Sequence, residues 1–204
     1  MNVARILYPV KVLGPGNRIG IWVGGCPRRC QGCINPELWE RRSEYEITTT
    51  GLCEVIAGIA SENNVDGFTI SGGEPMAQPE ELDALIRYLL AVNQDILIYS
   101  GYKLSELQGQ GSASIDNILN SIAVLIDGEY IEGLNSNVIL RGSENQNIII
   151  LNNQFKDKYE KYLETTHNQI QNFTTSDGVV SVGIHHRGFS ESIATRIKGC
   201  RGEE

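Results

Sequence analysis

Short apolar runs recur along this chain, separated by stretches with helical spacing. Ile19, Ile21 and Val23 alternate with Gly20, Trp22 and Gly24, a period-two pattern that predicts a strand over 18–24. Thr50 reads as an N-cap, followed by Leu52, Val55, Ile56 and Ile59 on one helical face. Residues 67–71 form the next short strand, ending at Gly72-Gly73-Glu74-Pro75. Pro79 opens a second helix, with Glu80 and Glu81 near its positive end and Leu82, Leu85, Ile86, Leu89 and Leu90 as its buried stripe. Residues 96–99, 122–126 and 148–151 are further apolar runs, the first two bounded by Ser100-Gly101 and Asp127-Gly128. Such runs alternating with helices predict strands buried on both faces of a parallel sheet. The tail differs: 170–173 and 180–184 flank Asp177-Gly178, which signals an antiparallel hairpin. Phe189, Ile193 and Ile197 then suggest a last short helix stopping near Gly199.

This pattern gives an α/β chain read as one domain over 1–204, with a core over about 14–165 and an appendage over about 166–204. The polar and glycine-rich signals fall at the C-terminal ends of the predicted strands. In parallel α/β folds ligands bind at that edge. A loop after the first strand, Gly72-Gly73-Glu74, Ser100-Gly101 and Asp127 would therefore converge.

Composition narrows the classes. A hydrophobic fraction of 41% supports an ordinary core, and a net charge of −8 argues against a nucleic-acid binder. The N-terminus shows no signal-peptide core, and no apolar run approaches a membrane span, so a cytoplasmic protein is expected. Arg28, Arg29, Arg41 and Arg42 would serve an anionic ligand or acidic partner, or else be solvated charges, the reading we favour.

The chemistry lies in Cys26-Pro27-Arg28-Arg29-Cys30-Gln31-Gly32-Cys33, a C-x3-C-x2-C run. Structural zinc sites need four ligands, usually in two separated pairs, and no second pair follows. Three close thiolates suit a 4Fe–4S cluster with one iron left open for a ligand. Gly72 and Gly73 would let the backbone approach that ligand, Glu74 would offer a carboxylate to an amino group, and Pro75 would stiffen the turn. The other candidates carry two readings each. Asp127 touches the ligand or caps its turn; Ser100 bonds a ribose or simply ends a strand. Arg141 reaches a ligand carboxylate or partner, or forms a surface ion pair. Cys53 reads as a small buried hydrophobe and Cys200 as a free surface thiol, while His167, His185 and His186 lack metal-ligand spacing. Tyr159 and Tyr162 share a helix face with Phe155 and Leu163, where core packing is expected.

Together the cysteine run and Gly72-Gly73-Glu74-Pro75 resemble the radical S-adenosylmethionine enzymes. The likeness extends over Gly14-Pro15-Gly16-Asn17-Arg18, Asn35-Pro36-Glu37-Leu38-Trp39, 98–102, 125–128, 140–146 and, after the hairpin, Gly183-Ile184 and Arg187-Gly188-Phe189, where the chain is similar to the activases of glycyl-radical enzymes, in particular those of anaerobic ribonucleoside-triphosphate reductases. The resemblance implies a partial, open (β/α)6 TIM-like barrel whose open side admits a protein substrate. It implies one 4Fe–4S cluster on Cys26, Cys30 and Cys33, and S-adenosylmethionine held by Gly72–Pro75 with Ser100, Asp127 and Arg141 as further contacts. It also implies reductive cleavage to a 5′-deoxyadenosyl radical, a large glycyl-radical reductase as partner, and a flavodoxin- or ferredoxin-type reductant. Two departures stand out: Gly32 where many members carry an aromatic residue, and His185-His186 where prolines are expected. Two alternatives compete: a maturase acting on another protein or peptide, and a small iron–sulfur electron carrier, which would need a fourth ligand.

Overall fold

In the computed structural model, which describes residues 1–175, 178–189 and 192, the chain is α/β. Its order is β1 (Val3–Val10), β2 (Arg18–Val23), α1 (Thr49–Glu62), β3 (Gly67–Gly72), α2 (Pro79–Val92), β4 (Ile96–Ser100), α3 (Leu104–Gln108), α4 (Ala113–Ser121), β5 (Val124–Asp127), β6 (Asn147–Ile150), α5 (Lys156–Thr165), β7 (Ile170–Thr175) and β8 (Gly178–Gly183). One sheet runs β1-β2-β3-β4-β5-β6, and β7 pairs with β8 separately.

The central strands β2 to β5 are parallel. Their cores, Ile19, Ile21, Phe68, Ile70, Ile96, Ile98 and Leu125, are fully buried beneath α1, α2 and α4, as continuous apolar runs require. Leu82, Leu85, Ile86 and Leu89 bury the predicted face of α2, while Leu90 is only half-buried.

Several expectations need correction. Six β/α repeats do not form, because only four of the six strands are parallel. The 148–151 run was expected to be parallel, yet β6 lies antiparallel to β5. Between them, 128–146 holds only a short turn at Glu132–Leu134, not a crossover helix. A chain that stays at one end of the sheet re-enters in the opposite direction. The sheet's first strand, β1, has no period-two burial and escapes the pattern; it pairs antiparallel with β2. Within the described residues β1 and β6 do not pair, so the sheet is open. Val55 is exposed instead of sharing the buried face of α1, where Leu52 and Ile56 sit. Thr48, not Thr50, caps α1: its Oγ1 accepts from the Gly51 N–H at 3.1 Å.

The hairpin forms as expected, with Asp177 of its turn outside the described residues. The final helix and Cys200 lie largely outside them too. No helix among the described residues is long and apolar enough to cross a membrane.

Candidate cluster and S-adenosylmethionine site

The four parallel strands all deliver their C-terminal ends to one edge. From Val23 the chain enters the cysteine loop through Gly24-Gly25, pinned by backbone bonds from Gly25 N to Leu38 O (2.9 Å) and Cys26 N to Trp39 O (2.8 Å). The Pro36–Leu38 turn is thus the buttress of the loop. Next to it, Gly73 N donates to Val23 O (2.7 Å) and Glu74 N to Gly25 O (2.9 Å). This pair of loops explains both glycines. A Cβ on Gly72, whose φ is +110°, would meet Val23 backbone atoms at 2.5 Å; on Gly73 it would meet Gly25 O at 2.4 Å. The expectation was close approach to a ligand; the close approach seen is to the chain's own backbone.

Glu74 is 1% exposed. Its Oε1 accepts from Met76 N (3.0 Å) and Ser100 Oγ (2.9 Å), and its Oε2 from Gly101 N (2.7 Å). Burial pushes its carboxyl above the usual range, and these donors, with Arg28, only partly pull it back. Ser100 also accepts from Tyr102 N (3.1 Å), so it fixes the turn that aims Glu74.

Cys26, Cys30, Cys33, Gly72, Gly73, Glu74 and Ser100 line a single cavity of about 410 Å³. All three cysteines are partly buried and unpaired. Burial foremost, then Glu129, whose Oε1 lies 3.7 Å from the sulfur, pushes the Cys30 thiol up to about 11. Burial also raises Cys33, opposed by backbone bonding at Asn35 and by the Trp39 indole. Gly32 has φ +72°, a backbone state that an aromatic side chain would strain. That accounts for the first departure from the family pattern.

Three other predicted residues are placed differently. Pro75, Asp127 and Arg141 do not line the cavity. Pro75 is buried at the start of the Pro75–Ala77 turn. Asp127 accepts from Leu104 N (2.7 Å), fixing the start of α3, and from Asn147 Nδ2 (2.8 Å), tying β5 to β6. Arg141 donates to Gln146 O (3.0 Å) within its own loop. The four arginines near the cysteines are paired, Arg28 with Glu106, Arg29 with Glu40, Arg41 with Glu46 and Arg42 with Glu44. Arg28 nonetheless lines the cavity, its guanidinium 4.2 Å above the Tyr102 ring. Tyr130, Asn135, Gln146 and His185 also line it and were not singled out as site residues. Gln146 could have been found: it closes the 140–146 block and clamps that loop, with Oε1 on Gly142 N (2.8 Å) and Nε2 on Gly128 O (2.8 Å).

Residues 12–149 match the family described as a 4Fe-4S single cluster domain. The chain is 32% identical over 153 residues to the anaerobic ribonucleoside-triphosphate reductase-activating protein of Enterobacteria phage T4, covering 72% of this chain and 93% of that one. It is 34% identical over 147 residues to the protein of that name from Vibrio cholerae, covering 68% and 92%. The chain belongs to this family of activating proteins. A more distant relative, the pyruvate formate-lyase-activating enzyme of Clostridium pasteurianum, is 29% identical over 58% of this chain and 48% of its own length.

The activating-protein family is one of radical S-adenosylmethionine enzymes, using a 4Fe–4S cluster and S-adenosylmethionine. The cavity fits both. Among the described residues no three His, Cys, Asp or Glu side chains close on a point as one ion's ligands would. Three unpaired thiols of one loop facing the same cavity suit a cluster, whose ligands bind different irons. Beside them, an under-compensated buried carboxylate favours a cationic amino group.

Proposed function

We propose that this protein activates an anaerobic ribonucleoside-triphosphate reductase by generating a glycyl radical on it. The observation that carries this reading is the single cavity lined by the cysteine loop, Gly72–Glu74 and Ser100. When bound, the cluster and S-adenosylmethionine together supply a 5′-deoxyadenosyl radical that takes the α hydrogen of a partner glycine. The chain's own residues provide placement. Cys26, Cys30 and Cys33 would hold the cluster as thiolates, releasing their protons on loading. Gly72, Gly73 and Glu74 receive the methionine amino group. Pro75 and Ser100 keep Glu74 aimed, and Asp127 and Arg141 hold the loops that frame the ligand. The open sheet would bend as a partial barrel, leaving a side through which a partner loop enters. A flavodoxin- or ferredoxin-type protein would supply the electron in the cytoplasm.

The test is anaerobic reconstitution followed by reduction. Expected are 5′-deoxyadenosine from S-adenosylmethionine and, with the reductase added, a glycyl signal by electron paramagnetic resonance. Cys30→Ala should remove both. Cleavage with no glycyl signal on the reductase would point to another protein substrate; no cleavage by the wild type, partner present, would sink the reading.

A further inference from the structure

The appendage lies outside the residues matched by the family, and the relatives' matched stretches cover 92–93% of their own length but 68–72% of this chain. It is tied to the site from both flanks. On β7, Gln171 Nε2 donates to Pro9 O (2.7 Å) while its Oε1 accepts from Lys11 N (2.9 Å), fastening the hairpin beside β1. Just before β7, Asn168 Nδ2 donates to Val138 O (2.9 Å) and its Oδ1 accepts from Leu140 N (3.2 Å), fastening the chain to the 128–146 loop. After β8, Asn135 Nδ2 donates to the His185 carbonyl (2.9 Å). Val182 packs with Val10, Leu13, Trp22 and Leu38 in one apolar cluster. The segment therefore spans from the β1 side of the sheet to the loop joining β5 and β6, and Val182 to Phe189 line the cavity between them.

One side chain in this wall has unmet chemistry. His185 is 9% exposed, and among the described residues neither ring nitrogen has a partner at good hydrogen-bond geometry. Its ring centre lies 4.2 Å from that of Phe189. Burial, more than the Gly183 backbone or His186, sets its basicity, lowering it so that the ring is neutral near pH 7. A neutral imidazole presents one donor and one acceptor. Left unpaired, both are unfavourable, so a ligand in the cavity that meets them gains accordingly. An uncharged ring suits neither the carboxylate nor the ammonium of an amino acid. Beside an aromatic face it suits the uncharged, flat end of a nucleoside.

We propose that residues 181–189, held in place by the β7–β8 pairing, are a built-in wall of the S-adenosylmethionine site, and that His185 hydrogen-bonds the nucleoside end of that ligand. The chain then retains S-adenosylmethionine before any partner docks. This rests on the site reading above.

The test uses the full chain with its cluster reconstituted, without the partner, titrated calorimetrically with S-adenosylmethionine and separately with methionine. His185→Phe keeps the ring against Phe189 but removes both nitrogens; His185→Gln restores a donor and an acceptor. His185→Phe should weaken S-adenosylmethionine binding about tenfold, the effect of one or two lost neutral hydrogen bonds, leaving methionine unchanged. His185→Gln should recover most of the loss, and the cluster's visible absorbance should be the same in all three proteins. Equal affinity of wild type and His185→Phe for S-adenosylmethionine would overturn the role of His185 alone. A loaded wild type that binds none would overturn the site reading with it.

Discussion

Glu74 shows how much a single residue can be asked to do. Three donors from three places, Met76 N, Ser100 Oγ and Gly101 N, end on one carboxylate that water barely reaches. Glu74→Gln replaces one acceptor oxygen with an amide N–H that points at an existing donor. Stability should fall by about 1.5–3 kcal/mol, since hydrogen bonds to a charged group are lost, read as a lower urea midpoint. Ser100→Ala removes one of those donors and should cost about 1 kcal/mol in the same measurement. Gly73→Ala should do worse than either, because its Cβ would sit 2.4 Å from the Gly25 carbonyl oxygen and 2.9 Å from that of Leu38. Backbone atoms cannot swing aside as a side chain can, so the two loops must part. The expected readout is loss of cluster absorbance after reconstitution while the helical circular dichroism persists. Sequence reading singles out Cys26, Cys30, Cys33 and the Gly72–Glu74 turn because residue type and spacing carry their chemistry, and the structure brings all six residues to one cavity. It could not tell that Glu74 is already triply bonded, since those donors come from residues 76, 100 and 101, and only the parallel register of β3 and β4 brings Ser100 to it.

At the scale of elements, what was legible is what periodicity encodes. Strands β2 to β5 and helices α1 and α2 lie where their apolar spacing predicts. Helix α4 was missed although Ser112 caps it, with Oγ accepting from Ile115 N (3.4 Å), and Ile115, Ile118 and Leu119 are buried. Its few apolar positions are set among Asn, Asp and Ser, which weakens the helical signal. Strand direction was less legible still, because β6 is antiparallel for a reason held in its connection and not in its own residues. Three threonines follow Ile47, and the structure selects the first as the cap of α1. Thr48→Ala should therefore destabilise the protein by about 1 kcal/mol, while Thr50→Ala should lie within about 0.5 kcal/mol of wild type. Thermal or urea unfolding of the two variants side by side would distinguish them; the reverse order would return the cap to Thr50.

Across the whole molecule, the two ends of the parallel sheet divide labour. The C-terminal end carries the cavity; the N-terminal end carries a buried charge network that holds the strands in place. Arg18 is fully buried at the start of β2. It donates to Thr69 Oγ1 (2.7 Å), Phe68 O (2.5 Å) and Asp95 Oδ1 (3.1 Å), and so joins β2, β3 and the entry to β4. From α5, Lys158 Nζ (2.6 Å) and Tyr159 Oη (2.6 Å) also donate to Asp95. Tyr159, expected as plain core packing, is thus a polar tie between helix and sheet. Burial acts to raise the Asp95 carboxyl, but Arg18 and the donated hydrogen bonds outweigh it and hold the carboxyl below its ordinary value. A carboxyl depressed by folding stabilises the native state above its unfolded-state value, and that stabilisation is lost as pH falls through the depressed native value. The protein should therefore lose stability in acid, below about pH 4. Asp95→Asn leaves Arg18 buried without its counter-charge and should cost about 3–5 kcal/mol at pH 7. As the wild-type carboxyl takes up its proton, the two proteins should converge. Urea midpoints at pH 7 and in steps down to pH 3 would show this as a narrowing gap. A gap that stays constant would mean that the charge on Asp95 contributes nothing, and that shape and hydrogen bonding alone hold this end of the sheet.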